Sequence, residues 1–253
     1  MTAATSGKCC NLQRTKIHTM KINNKVALIT GGSKGIGYGI AEAMLAEGMK
    51  VAITSRTQAG ADAAVEKLKS KGAIIGIAAD VKDLASQQQA VQVVLDTWGQ
   101  LDVLVANAGV GHFAPVETLS VEDWHDTIDT NLTGVFYSLK AGFEALKAAK
   151  GYLITISSLA GTNFFAAGSA YNASKFGLTG FTQAAMLDLR KYGIKTTTIM
   201  PGSVATFFND HVPNESDAWK IQIEDIGQLV TDLLKMHPRT LPSKVEVRPT
   251  MPG

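Results

Sequence analysis

Tyr171 and Lys175 stand four apart in a stretch that reads as helix, so their side chains share one face and lie within mutual reach. A tyrosine phenol, with a pKa of about 10, is a poor proton donor or acceptor at neutral pH. A neighbouring ammonium favours the phenolate and predicts a value drawn down toward the working pH, where proton transfer is most effective. Ser158, upstream of Tyr171, ends an apolar run that predicts a strand, where its hydroxyl could polarise a substrate oxygen. These residue types suit proton exchange with an oxygen atom. Metal chemistry is not indicated, because the five histidines show no ligand spacing.

A second chemical feature lies near the start. The apolar run 26–30 passes directly into Gly31-Gly32-Ser33-Lys34-Gly35-Ile36-Gly37, and a helical pattern follows. In a strand–turn–helix setting Gly31 permits the tight turn, Gly35 lets backbone N–H groups approach a pyrophosphate, and Gly37 lets the helix pack close to the strand. The N-terminus of that helix, through Ser33, Lys34, Gly35 and Ile36, then offers unpaired N–H groups to an anion. At the end of the second predicted strand, where an NAD site carries Asp or Glu for the ribose 2′-hydroxyl, the chain has Thr54-Ser55-Arg56. A hydroxyl with the cations Arg56 and Lys34 suits a 2′-phosphate, so NADP(H) is expected over NAD(H).

The elements that must hold these residues can be read from the pattern. β-Branched runs at 26–30, 51–55, 74–79, 103–106, 152–157, 195–200 and 244–248 alternate with helical stretches at 35–47, 61–71, 84–98, 121–147, 170–192 and 223–236. Strands that are continuous apolar runs are buried on both faces, as in parallel sheets. Seven of them with crossover helices predict one doubly wound α/β domain over 21–253.

The residues resemble the main, single-domain branch of the short-chain dehydrogenase/reductase family over about 22–206, and in particular 3-oxoacyl reductase-like carbonyl reductases. Thr30-Gly31-x-x-x-Gly35-x-Gly37 is that family's glycine pattern, and Tyr171-Asn172-Ala173-Ser174-Lys175 matches its YxxxK motif. Asn131 and Ser158 precede Tyr171 at the family spacing. The resemblance implies a Rossmann fold with a seven-stranded parallel sheet and helices on both faces. It implies an oxidoreductase that moves a hydride between NADP(H) and a carbonyl or secondary alcohol, with Tyr171 as general acid/base. Lys175 would also hold the nicotinamide ribose, and Asn131 would organise a water leading from Lys175 to solvent. Asp80 with Val81 resembles the adenine contact. Asn107-Ala108-Gly109 matches the NAG motif, although Ala106 stands where Asn often precedes it, and Pro201-Gly202-x-Val204-x-Thr206 matches the loop that meets the nicotinamide carboxamide. A homodimer or homotetramer is implied too. The alternative is a sensor or scaffold that keeps the fold without turnover; such proteins usually lose the active-site Tyr or Lys, and both are present here.

Substrate identity is written in the parts where the resemblance thins. His112, Phe113, Phe164 and Phe165 flank the catalytic strands and either wall a pocket for an apolar ketone or serve as ordinary core residues. The short segment 207–213 predicts a comparatively open cleft. Ala149 stands where carrier-protein reductases of the family often bear Arg, and the end of the chain lacks the glycine pair seen in many members, departures that argue against a carrier-protein substrate.

Composition excludes other classes. The net charge is +2, with 24 basic against 22 acidic residues and no basic block, which gives no nucleic-acid footprint. No apolar run approaches the roughly 18 residues of a membrane span. Cys9 and Cys10 are the only cysteines, and being adjacent they cannot staple the fold, in keeping with a reducing, cytoplasmic setting. The leader, 1–20, holds Lys8, Arg14 and Lys16 and no acid, and reads as a disordered extension or as an organelle-targeting segment.

Overall fold

The computed structural model describes residues 19–251. Cys9, Cys10 and nearly all of the 1–20 leader lie outside them; the described end of that leader is tied down, since the Met20 N–H donates to the Lys235 carbonyl at 2.9 Å.

The seven predicted strands form one parallel sheet: β1 (Val26–Ile29), β2 (Lys50–Ser55), β3 (Ile74–Ala78), β4 (Val103–Ala106), β5 (Tyr152–Ile156), β6 (Lys195–Pro201) and β7 (Lys244–Val247), in the order β3-β2-β1-β4-β5-β6-β7. Alternate strand residues feed two cores. Ile29, Ile53, Val105 and Ile154 pack under α1 (Gly35–Ala46), α2 (Gln58–Leu68) and α7 (Ile223–Lys235). Leu28, Ala52, Leu104 and Leu153 pack under α3 (Leu84–Trp98), α5 (Gly134–Ala149) and α6 (Ser169–Leu189). Both faces are thus covered, the arrangement in which parallel strands read as unbroken apolar runs. Strand order reverses at β1, whose neighbours are β2 and β4; the crevice beyond the carboxyl ends of β1 and β4 is where such sheets bind ligands.

Two helix expectations differ from the structure. α2 starts at Gln58 rather than at 61, because the Thr57 hydroxyl accepts from the Gly60 N–H and caps it there. The single helix expected over 121–147 is broken: α4 (Val121–Ile128) and α5 are joined by a π-helical turn, Asp129–Thr133, with Asn131 fully buried in it. Such turns often sit at functional positions.

α1 and α7 touch almost backbone to backbone. A Cβ on Gly39 would lie 2.5 Å from the Ile223 carbonyl oxygen, and one on Gly227 would lie 2.6 Å from that of Gly39. Gly→Ala inside a helix ordinarily gains about 1 kcal/mol. Here the added methyl must push two packed helices apart, at a cost of about 1–3 kcal/mol. Gly227→Ala should therefore destabilise the protein in urea unfolding; a gain in stability would show that the contact can open freely.

Candidate active site

The glycine loop is shaped by close approach. Gly31 and Gly35 both sit in the left-handed region, at φ +63° and +59°. A Cβ on Gly31 would lie 2.9 Å from Ala108 Cα, and one on Gly37 would lie 2.5 Å from Asn107 Nδ2, so the turn presses on the end of β4. At Gly35 the nearest neighbour to such a Cβ is Thr206, 3.5 Å away, which places the Pro201–Thr206 segment across from the loop. No side chain caps α1, whereas Thr57, Asp83 and Ser120 cap α2, α3 and α4. An uncapped helix N-terminus behind left-handed glycines fits the pyrophosphate of a dinucleotide.

The other expected cofactor residues gather around this loop. Lys34 and Arg56 are exposed, and neither makes an ion pair among the described residues. Asp80 follows β3 and turns one carboxylate oxygen onto the Lys82 N–H at 2.9 Å; Val81 is buried beneath Gly134. Asn107 has a mechanical task. Its Nδ2 donates to the carbonyls of Thr30 at 2.9 Å and Gly31 at 3.0 Å, so both amide protons are committed to β1. Gly202 and Val204 lie on the loop after β6, Gly202 donating to the Val247 carbonyl and Val204 bridging to Ile221.

Ser158 lies just past the end of β5, and Tyr171 lies in the first turn of α6 with Lys175 one turn on. Asn172, one of the unspecified slots inside the YxxxK motif, joins the two elements. Its Nδ2 donates to the carbonyls of Ala160 at 2.8 Å and Asn163 at 2.7 Å, holding the Ser158 turn against α6. The Ser158 hydroxyl accepts from the Ala160 N–H at 3.1 Å, which holds it at the start of the turn after β5. Gly109 packs between two members of the set: a Cβ there would lie 3.3 Å from Asn131 Oδ1 and 3.7 Å from Lys175 Nζ. Asn131 has no amide proton to spare, since Nδ2 donates to the Val110 carbonyl and to Ser174 Oγ, while its Oδ1 accepts from the Val110 N–H at 2.8 Å. That pairing is the physical cause of the helix break.

The electrostatics differ from the expectation. Burial pushes the Tyr171 phenol above its ordinary value, and the nearby Ser158 hydroxyl only opposes this. Lys175 does not supply the expected lowering: its Nζ, 5.7 Å from the Tyr171 ring centroid, donates to the Ile156 carbonyl at 3.0 Å. Its own burial drives it toward neutrality, with a pKa lowered to about 8.

Of the four expected pocket residues, the structure brings Phe113 and Phe165 together, with ring centroids 5.8 Å apart, and sets Phe113 edge-on to Tyr171 at 5.4 Å. Phe164 stands apart, 86% exposed. His112 is tied to α4, its Nε2 at 2.9 Å from Asp126 and its Nδ1 at 3.2 Å from Asp123. The second ring beside Tyr171 is Phe208, at 5.7 Å. It lies in the short 207–213 segment, and no periodic or motif signal marks it.

The short chain dehydrogenase family model matches residues 25–217, and the chain belongs to that family. It is 37% identical to a trans-4-hydroxycyclohexanecarboxylate dehydrogenase of Sinomonas cyclohexanicum, over 74% of each chain. It is 35% identical to a 3-oxoacyl-[acyl-carrier-protein] reductase of Synechocystis, over 81% of this chain and 84% of that one. Among solved structures, the alcohol dehydrogenase of the archaeon Thermococcus sibiricus, complexed with 5-hydroxy-NADP, superposes with a TM-score of 0.84 at 28% identity, over 89% of this chain and 97% of its own.

The buried lysine has a measurable signature. Its folded-state pKa of about 8 lies below the ordinary 10.5, so between these values the unfolded chain holds a proton that the folded one has released. Stability from this group therefore rises with pH through that window, and the full penalty persists below pH 8. The stability difference between wild type and Lys175→Met should climb by up to about 3 kcal/mol across it. A difference that stays flat would place the ammonium in contact with solvent.

Proposed function

We propose that this chain is an NADP(H)-dependent carbonyl reductase, converting a ketone or aldehyde to the corresponding alcohol. The observation that carries the reading is the meeting of Ser158, Tyr171 and Lys175 with an uncapped glycine-loop helix at the switch point of the sheet. Nicotinamide, when bound, supplies the hydride to the carbonyl carbon. Ser158 hydrogen-bonds the carbonyl oxygen and Tyr171 delivers its phenolic proton to it as the negative charge develops. Burial keeps that phenol protonated, which is the form a reduction consumes. Lys175 stands one helical turn behind, where it can grip the nicotinamide ribose and help return a proton to Tyr171. Because the Asn131 amide protons are spent on Val110 and Ser174, Asn131 could engage a water with that side chain only as an acceptor.

Two exposed cations, Arg56 and Lys34, with no carboxylate at the end of β2, favour the 2′-phosphate of NADP(H). Asp80 and Val81 would flank the adenine, and the stretch Pro201, Gly202, Val204 and Thr206 the carboxamide. The same reading assigns the exposed Phe136 and Phe176, on α5 and α6, to a two-fold interface of a dimer or tetramer, and the protein to the cytoplasm.

The test is NADPH oxidation over a panel of carbonyls. Tyr171→Phe removes the transferable proton and keeps the ring, so turnover should fall by at least about 10²-fold with NADPH affinity nearly intact. Residual turnover above a tenth of wild type would remove Tyr171 from this role. In the same assay NADPH should be preferred over NADH by about 10² in kcat/KM, from charge-assisted bonds of about 1.5–3 kcal/mol each. Arg56→Ala should erode most of that preference through NADPH alone, leaving NADH kinetics almost unchanged. Equal use of both cofactors by wild type would mean that Arg56 stays in solvent.

A further inference from the structure

The segment 206–220 leaves the chain's path just beyond β6 and returns beside its point of departure, ahead of α7. Its stem is closed by a parallel bridge, Val204 to Ile221, with Ala205 N–H donating to the Ile221 carbonyl at 2.9 Å and Ile221 N–H to the Ser203 carbonyl at 3.1 Å. A surface excursion with joined ends is a compact loop of the kind packed by its own side chains. Here the packing is ionic. The Asp217 carboxylate, only 4% exposed, takes His211 Nε2 at 2.6 Å, Lys220 Nζ at 2.6 Å and the Asn214 N–H at 3.0 Å. Lys220, His211 and the Asn214 N–H together hold it far below the usual carboxylate range, so it stays charged at any working pH.

The loop carries Phe208 to the chemistry. Two successive residues, Asn209 and Asp210, adopt left-handed φ of 55° and 58°, a conformation that needs support from its surroundings in non-glycine residues. The turn they make sets Phe208 5.7 Å from the Tyr171 ring and 6.3 Å from Phe113. Gly111 lies beneath both phenylalanines, where a Cβ would come within 2.6 Å of Phe208 and 2.8 Å of Phe113. Within the loop, His211 and Lys220 are both engaged by Asp217.

We propose that 206–220 is a preformed lid stapled by Asp217, and that the Phe208 it presents completes, with Phe113 and Phe165, an aromatic slot over Tyr171. The slot selects carbonyl substrates bearing an uncharged flat or apolar group on the carbonyl carbon and disfavours those bearing a carboxylate. Asp217 is a positioning residue, acting on the substrate only through Phe208. The proposal rests on the reductase reading for its reaction, and on loop geometry for its specificity.

The experiment uses the full chain with NADPH, and compares acetophenone with acetoacetate and with butanone. Wild type should prefer acetophenone over acetoacetate by at least about tenfold in kcat/KM, the worth of one aromatic contact. Phe208→Ala should raise the acetophenone KM by about tenfold, with a smaller effect on kcat and on butanone. Asp217→Asn should reproduce that substrate-selective rise and speed proteolytic cutting within 206–220. The double variant should be no worse than the poorer single, because both act through one ring. If Asp217→Asn does not fold, Lys220→Met and His211→Asn each remove one partner and should give the same pattern in weaker form. Additive effects of the two variants, an unchanged acetophenone KM in Asp217→Asn, or equal use of acetoacetate and acetophenone would overturn the proposal. Should no carbonyl be reduced, the reductase reading fails, and the staple is then judged by proteolysis, where unchanged cutting of Asp217→Asn overturns it.

Discussion

Everything in the site hangs on how the ends of β1 and β4 are joined. The Thr30 hydroxyl accepts from the N–H groups of Asn107 and Ala108, at 3.0 and 3.1 Å, while Asn107 returns two amide protons to the carbonyls of Thr30 and Gly31. At this point the strand order reverses, and neighbouring strands cannot satisfy one another's last backbone groups without help. The side chains close that gap. They also bring Gly31 hard against Ala108, so the glycine loop and the segment leading to Val110 are packed together.

From that junction the rigidity passes outward through polar clamps. Val110 is gripped at both its N–H and its carbonyl by Asn131, and Asn131 reaches Ser174 on the helix that carries Tyr171 and Lys175. Asn172 grips the turn that carries Ser158 from the other side. Each clamp is a buried amide with its donors satisfied, and losing one would leave backbone groups unpaired at about 1–3 kcal/mol apiece. Such networks fix geometry more sharply than apolar contacts do, which suits a cluster whose working atoms must align within fractions of an ångström.

Much of this is legible in the residues. The seven strands are readable because each is a continuous apolar run buried from both sides, and α3 because Asp83 before it and Gly99 after it punctuate a regular apolar face. The pairing of Tyr171 with Lys175 is readable from helical spacing, and Ser158 from its place at a strand end. What escapes depends on partners distant in sequence. The π-helical turn has no local signature; it arises because Asn131 is pulled toward Val110, which lies beyond the whole of α4. Arrival of Phe208 at Tyr171 depends on two left-handed residues and a carboxylate further along the loop, and apolar periodicity reports on neither. The tyrosine's raised pKa is hidden for a related reason: adjacency on a helix reveals a charge neighbour but not how deeply both are desolvated.

The closed stem of the 206–220 loop has a consequence for how such a protein can diverge. Because the Asp217 side chain fastens the loop to itself and the loop's two ends meet at one bridge, the stretch behaves as an exchangeable cassette. Its sequence can drift or be replaced wholesale while Val204 and Ile221 keep their bridge, and the parallel sheet registers nothing. If the loop sets selectivity as proposed, chemistry and selectivity are inherited on separate pieces of chain, and one scaffold can be refitted for a new substrate without re-solving the problem of folding.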